Sequence, residues 1–454
     1  MNRQQYGWLL ALGGLVWWTA NTGVRAETAD PKWQELDQKV RILERKLELA
    51  DEAAAAKAKE TPTLSAGPGG FSLASADKAF SLRLRGFVQA DGRVYADDEG
   101  DRLSDTFLLR RARIILDAQL GKHFAARIAP DFGGGQSQLQ DAYVDFKGSD
   151  ALNLRVGRTK VPLGLERLQS STERLFNETA LVTALTPNRD EGILLYGALG
   201  KGVLEYHLGA FNGGPDGASI DSDTNDEFDL AARVWLTPFK HSDAEALQGL
   251  SFGLAGTVGE QSGTTNAPGL PTYRTTGQNT FFSYRTSTNA ADTAVADGDR
   301  TRIAPQVYYA VGPWSLHGEY IISEQDVGNG SGSASLEQEA WQLATSWVLT
   351  GEKPSLKGVS PAKPFDPAKG QWGAFELKAR VGELSIDDAA FEGGYAQATR
   401  SARSAEAVGG GLNWYLTRNA KLSLDYEQTT FDGGAADGDR PDEKIVIARA
   451  QVSF

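Results

Sequence analysis

The feature that most limits what this chain can fold into is a two-residue alternation that keeps returning after residue 80. Residues 107–120, laid out as a strand, put Leu108, Ala112, Ile114, Leu116, Ala118 and Leu120 on one face and Arg111, Arg113, Asp117 and Gln119 on the other. Arg110 alone breaks the pattern, near the strand's start. From 81 to 95, Leu82, Leu84, Val88, Ala90 and Val94 alternate with Arg83, Arg85, Gln89, Asp91 and Arg93. Similar segments lie near 123–131, 139–147, 151–158, 192–199, 203–211, 228–236 and 250–258. Others follow near 301–311, 314–323, 338–350, 371–382, 406–416, 420–430 and 444–454, for about sixteen in all. Repeats this long suit tilted membrane-spanning strands better than globular ones.

The separators point the same way. Tight turns at 121–122, 148–150, 200–202, 312–313 and 417–419 alternate with long polar stretches at 159–191, 212–227, 259–300 and 383–405. Short turns on one rim and long loops on the other describe an outer-membrane barrel. An even strand count puts both termini on the short-turn, periplasmic side, with 237–249 and 351–370 as longer connections there. Trp314, Tyr320, Trp341, Trp347, Trp414 and Tyr426 fall at outward positions, as interfacial girdles require. The chain ends on an outward aromatic, Phe454, which resembles the C-terminal insertion signal of such barrels. A soluble sandwich of this length would need several domains joined by linkers, and no linker follows residue 80.

Composition narrows the rest. The 454 residues carry a net charge of -13 and no Cys, which argues against a nucleic-acid partner and removes disulfides, thiolate metal sites and Cys nucleophiles. Residues 1–26 read as a secretory signal, with Arg3, an apolar core at 6–18 and Val24-Arg25-Ala26 before the cut; a signal anchor is the alternative. Over 27–60, Trp33, Leu36, Val40, Leu43, Leu47 and Ala50 trace a coiled-coil seam, or the buried face of a single amphipathic helix. Residues 61–79, with Gly67-Pro68-Gly69-Gly70, read as a flexible linker, leaving 80–454 for the barrel.

These residues together resemble the phosphate-selective porins O and P of Gram-negative outer membranes. The resemblance rests on Leu109-Arg110-Arg111-Ala112-Arg113, Asp141-Ala142-Tyr143-Val144 and Leu154-Arg155-Val156-Gly157-Arg158. It extends through Leu163-Gly164-Leu165-Glu166-Arg167, Leu349-Thr350-Gly351-Glu352 and Gly411-Leu412-Asn413-Trp414-Tyr415. It implies a homotrimer of sixteen-stranded barrels with the loop 159–191 folded inward. The family's paired pore arginines fall on Arg110 and Arg111, its constriction lysine on Arg167 and the adjacent hydroxyls on Ser170 and Ser171. Lys160 is a further constriction position, and two pore lysines match Lys357 and Lys369. The site's acid falls on Gln140, a tyrosine is replaced by Arg113, and the dense arginine run of the fifth long loop shrinks to Arg274 and Arg285. An anion pore is implied; a preference for phosphate over other anions is not.

A wet lumen tolerates cations that would cost about 2–4 kcal/mol on the lipid side at midplane, so the inward parity of Arg83, Arg85, Arg111, Arg113 and Arg155 is a requirement. Rings of Arg and Lys attract small inorganic or organic anions. No catalytic residue, cofactor or metal site is expected. Asp297-Gly298-Asp299 and Asp437-Gly438-Asp439 lack the twelfth-position Glu of a calcium loop, and His123, His207, His241 and His317 have no ligand spacing. Two other functions stay open. One is a structural protein tethered through its coiled coil around a non-selective pore; the other is an outer-membrane hydrolase using His207 or His317.

Overall fold

The computed structural model describes residues 31–96, 103–220 and 226–454, leaving aside the side chains of residues 55, 56 and 58–60. The expected leader, 1–26, lies outside the described residues, as do the loop acids Asp97, Asp98, Glu99, Asp101, Asp221 and Asp223. The chain divides into a unit ending at Glu60 and a second from Thr61 to Phe454.

The first unit contains the helix Pro31–Glu60, with proline at its first residue, where a missing N–H costs nothing. Its ion pairs, Lys39 with Glu35 at 2.6 Å and Arg41 with Asp37 at 2.9 Å, are exposed and contribute about 0.3–0.5 kcal/mol each at most. The seam residues Trp33, Leu36, Val40, Leu43 and Leu47 are all exposed.

In the second unit all the alternating segments become strands of a closed antiparallel barrel of 16 strands. In chain order they are β1 Phe80–Ala96, β2 Thr106–Leu120, β3 Phe124–Asp131, β4 Gln138–Ser149, β5 Leu152–Lys160 and β6 Arg189–Leu199. They continue as β7 Leu204–Phe211, β8 Asp229–Leu236, β9 Ser251–Ser262, β10 Val295–Val311 and β11 Trp314–Asn329. Then come β12 Gly332–Val348, β13 Ala374–Ser385, β14 Ala402–Tyr415, β15 Ala420–Ala435 and β16 Glu443–Ser453. Each strand pairs with the next, and β16 returns to β1 with Ser453 opposite Phe87 and Lys444 opposite Ala96. Phe454 finishes the seam: the Gly86 N–H donates to its carbonyl at 3.0 Å, and its own N–H donates to Gly86 at 2.9 Å. Closure leaves no strand edge to face lipid.

Three local readings change. Gln89 pairs with Arg111 but Ala90 pairs with Leu109, so Arg110 is the extra residue of a β-bulge. The bulge explains the break in alternation and reverses parity before it: Leu109 shares the face of Ala90, whereas Leu108, expected outward, is paired with Asp91.

Residues 61–79 are not a flexible linker. Strands Thr63–Gly67 and Gly70–Ala74 form a hairpin around Pro68-Gly69, and the second strand pairs with β1 from Phe71 opposite Leu84 to Ala74 opposite Ser81. The glycines that suggested slack serve as turn residues; Gly70 sits at φ 97 and a Cβ there would stand 2.3 Å from the Leu84 carbonyl oxygen.

The alternation read from the sequence stops at 323 and resumes at 338, yet β11 continues to Asn329 and β12 begins at Gly332. Between them they are paired throughout, with Val327 opposite Ala334.

Toward the long loops the interior is filled along one flank. Leu163, Leu181, Val182 and Leu185 of loop 161–188 and Tyr273, Phe281 and Phe282 of loop 263–294 fold inward. They pack with Ala255, Ala304, Ile321, Leu336, Ala340, Leu384, Ala405 and Phe431, on strands β9 to β15, into one apolar core. At about 1.5–3 kcal/mol per large buried side chain, this core holds both loops inside the barrel.

Candidate functional site

The space that remains lies against β1 to β7 and, toward the short turns, also against the ends of β14 to β16. It forms two chambers, one of about 540 Å³ toward the long loops and one of about 980 Å³ toward the short turns. Arg113, Lys160 and Arg189 line both chambers, and among the described residues no others do. All three are basic, so positive charge stands where the chambers adjoin.

The loop-side chamber is lined by Arg110, Arg111, Arg113, Lys160, Arg167, Arg174, Arg189 and Arg274 against the acids Asp131, Glu178 and Asp216. Ser171 lines this chamber and Ser170 the other. Arg155 and Lys357 line the turn-side chamber with Arg83, Arg85, Arg127, Arg418 and Lys421, against Asp141 and Glu173. Asp117 and Asp145 stand behind that wall: Arg127 meets Asp117 at 2.7 Å and Arg155 meets Asp145 at 2.7 Å. Arg155 also lies 3.7 Å over the Tyr143 ring, which fixes its plane.

Two expected residues stand elsewhere. Arg285 lines neither chamber and meets Asp292 at 3.5 Å within its own loop. Lys369 also lines neither; it pairs with Asp366 at 2.7 Å on the short-turn side.

The lining cations differ in what already holds them. Arg113 meets Asp131 at 2.8 Å and Arg189 meets Asp141 at 3.1 Å. Arg110 donates from Nε to Glu178 at 2.7 Å and from Nη2 at 3.0 Å. Arg111 donates to Gln89 at 2.9 Å and stands 3.8 Å from Glu178. Among the described residues Lys160 donates only to the Gln169 carbonyl, at 2.6 Å, and Arg167 only to neutral oxygens, Thr186 Oγ1 at 2.9 Å and the Thr183 carbonyl at 2.5 Å. Arg174 is buried with its Nε unpartnered, as is the hydroxyl of Ser171. Burial lowers the pKa of the Arg174 side chain. Burial works against the Glu178 charge too, but Arg110, Arg111 and Arg449 outweigh it and hold that carboxyl well below the usual range.

Loop 161–188 owes its course to side chains from distant strands. Glu319 of β11 accepts the Leu165 N–H at 2.7 Å, and Glu166 accepts the Ala180 N–H at 2.9 Å. Across the lumen Asp425 accepts the Asn177 N–H at 2.7 Å, while Lys378 donates to the Leu175 carbonyl at 2.8 Å and Arg380 to that of Glu178 at 2.9 Å. Arg174, Glu178 and Arg189 were not among the residues picked out from the sequence. Arg174 and Glu178 lie in a loop with no periodicity, and Arg189 opens β6 just ahead of the alternation read there.

This constellation has no nucleophile and base set over a common point, and among the described residues no group of three His, Asp or Glu side chains could hold a metal. What it offers an ion is a sequence of forked donors in water. A unit pair at about 4 Å is worth roughly 1–4 kcal/mol in such surroundings, enough to draw an anion in and too little to trap it.

Comparison with known proteins agrees with the geometry. The sequence profile of the family described as phosphate-selective porin O and P matches residues 80–454. Porin O of Pseudomonas aeruginosa is 24% identical over 415 residues, covering 82% of this chain and 89% of that protein. The outer membrane channel DcaP of Acinetobacter baumannii superposes with a TM-score of 0.54 at 14% identity, over 83% of this chain and 98% of its own. An anion-selective porin from Comamonas acidovorans does so at 0.51 and 13% identity, over 83% of this chain and all of its own. At these identities the two structures speak for the fold alone.

Proposed function

The chain belongs to the phosphate-selective porin O and P family and is an outer-membrane porin, a channel and not an enzyme, and from that premise we propose that it conducts small anions in preference to cations. The observation that carries the proposal is the loop-side chamber, where eight basic side chains face three acidic ones in a protein whose net charge is -13. Lys160, Arg167, Arg174 and Arg274 line it without a carboxylate within ion-pairing distance among the described residues, and these are the groups left for a solute. Guanidinium forks suit phosphate, sulfate and carboxylate alike. The negative surplus resides elsewhere in the chain, and charges more than about 8–10 Å from the path are screened at physiological salt.

Within the barrel unit the short-turn rim, the hairpin 63–74 and Phe454 share one side, with Asn419 of the 417–419 turn donating to the Pro68 carbonyl at 2.8 Å, and we assign that side to the periplasm. The exposed seam of the helix 31–60 favours a coiled coil between copies, and with it a homotrimer. The test is the reversal potential of single channels under a potassium chloride gradient. The expected sign is that of an anion-selective pore; a cation-selective sign would refute the reading.

A further inference from the structure

We propose that Glu178 is a specificity-determining residue: it occupies the Arg110–Arg111 pair as a resident carboxylate, leaving a passing oxyanion in the loop-side chamber Lys160, Arg167, Arg174 and Arg274. The proposal rests on the anion-pore reading above and goes beyond it.

Glu178 comes from the inward loop, not from the wall, and is 2% exposed. Its Oε1 accepts from Arg110 Nε at 2.7 Å, from Arg93 Nη2 at 2.9 Å and from Arg449 Nη2 at 2.8 Å. Its Oε2 accepts from Arg110 Nη2 at 3.0 Å and stands 3.8 Å from Arg111 Nη2. The Nε and Nη2 edge of Arg110, the edge that grips an oxyanion with two parallel hydrogen bonds, is therefore already filled. The Arg111 Nη1 donor is spent on Gln89. An oxyanion can take the Arg110 fork only by ejecting a carboxylate of similar strength.

The surrounding charges show why the carboxylate stays. Arg93 and Arg449 are shared with Asp91, at 3.1 Å and 2.6 Å, so four guanidinium groups face two carboxylates. Removing Glu178's charge leaves the cluster three positive charges in surplus and a free fork on the chamber wall. Arg174 offers the contrast: its Nε is buried in the same chamber without a hydrogen-bond partner among the described residues.

The experiment is phosphate inhibition of chloride conductance in planar bilayers, comparing the full-length protein with E178Q and E178D. In E178Q the inhibition constant for phosphate falls tenfold or more while chloride conductance changes by less than threefold; E178D, which keeps the charge, stays near wild type. A residue that merely held the loop would alter conductance to all anions together and leave the ratio of phosphate to chloride effects unmoved, and that result overturns the proposal. A cation-selective wild type overturns the anion-pore reading first, which the reversal potential reports separately. Should E178Q not assemble, R110Q and R174Q in the otherwise native chain decide: R110Q weakens phosphate inhibition less than R174Q does, and equal or reversed effects reject the proposal.

Discussion

A methyl group on Gly133 would stand 2.5 Å from the Cα of Arg111 and 2.6 Å from the carbonyl oxygen of Arg110. The loop after β3 is thus pressed against the bulge that turns both arginines inward. Asp131 locks the same place, accepting the backbone N–H of Ala112 at 3.0 Å and of Gly133 at 3.1 Å. Gly133→Ala is expected to displace the bulge at a cost of about 1–3 kcal/mol. The hold of Arg110 and Arg111 on Glu178 is then loosened, exposing that carboxylate to the path, and the anion-to-cation permeability ratio falls several-fold in a barrel that still shows its heat-sensitive gel mobility. An unchanged ratio would mean that the aim of Arg110 and Arg111 does not matter to permeation.

The strap across the lumen makes a second prediction. The ammonium of Lys378 is buried, donating to Leu175 at 2.8 Å and Asn413 at 2.8 Å and pairing with Asp425 at 2.5 Å. Lys378→Met strands the Asp425 carboxylate and releases one tie on the loop, a loss of about 3–5 kcal/mol for a broken buried pair. The expected signs are a lower temperature for the gel-mobility transition and noisier single-channel current. Quiet channels of native stability would show that the loop needs no strap there.

Salt supplies a third. At 0.1 M the screening length is about 10 Å and at 1 M about 3 Å, so a preference arising from cations along the wall should fade as salt rises. Reversal potentials measured at a fixed concentration ratio, with the mean raised from 0.1 to 1 M, should move toward zero. A selectivity indifferent to salt would assign discrimination to pore width instead.

The helix offers a fourth. Leu36 and Leu43 are 50% and 64% exposed on its apolar seam. Replacing both with Ser removes about two buried leucines per chain from a coiled coil, roughly 1.5–3 kcal/mol each. Cross-linking should then recover fewer trimers, with single-channel conductance unchanged. Trimers of native stability would place the association on the barrel wall.

How much of this could be read in advance follows from where the information sits. A strand advertises itself by period two, so the barrel, its strand count and its two kinds of rim were visible, and the inward arginines of β1, β2 and β5 with them. Arg110 looked like an error because a bulge is legible only against the partner strand, where Gln89 and Ala90 supply the missing register. Residues 61–79 looked slack because strands of five residues carry too few alternations to stand out beside Gly67-Pro68-Gly69-Gly70. The roles of Arg174 and Glu178 depend on where a non-periodic loop comes to rest. That is decided by contacts with Asp425, Lys378 and Arg380, about two hundred or more residues further along the chain.

The apolar filling of one flank also bears on what shape of solute the channel treats best. A molecule in the loop-side chamber meets guanidinium groups and also Leu270, Pro271, Ala180 and Ala184. An elongated solute with its charge at one end would have a surface for each of its ends, whereas a round inorganic ion gains nothing from the apolar one. The lumen would then grade solutes by how unevenly their charge is distributed, in addition to how much of it they carry.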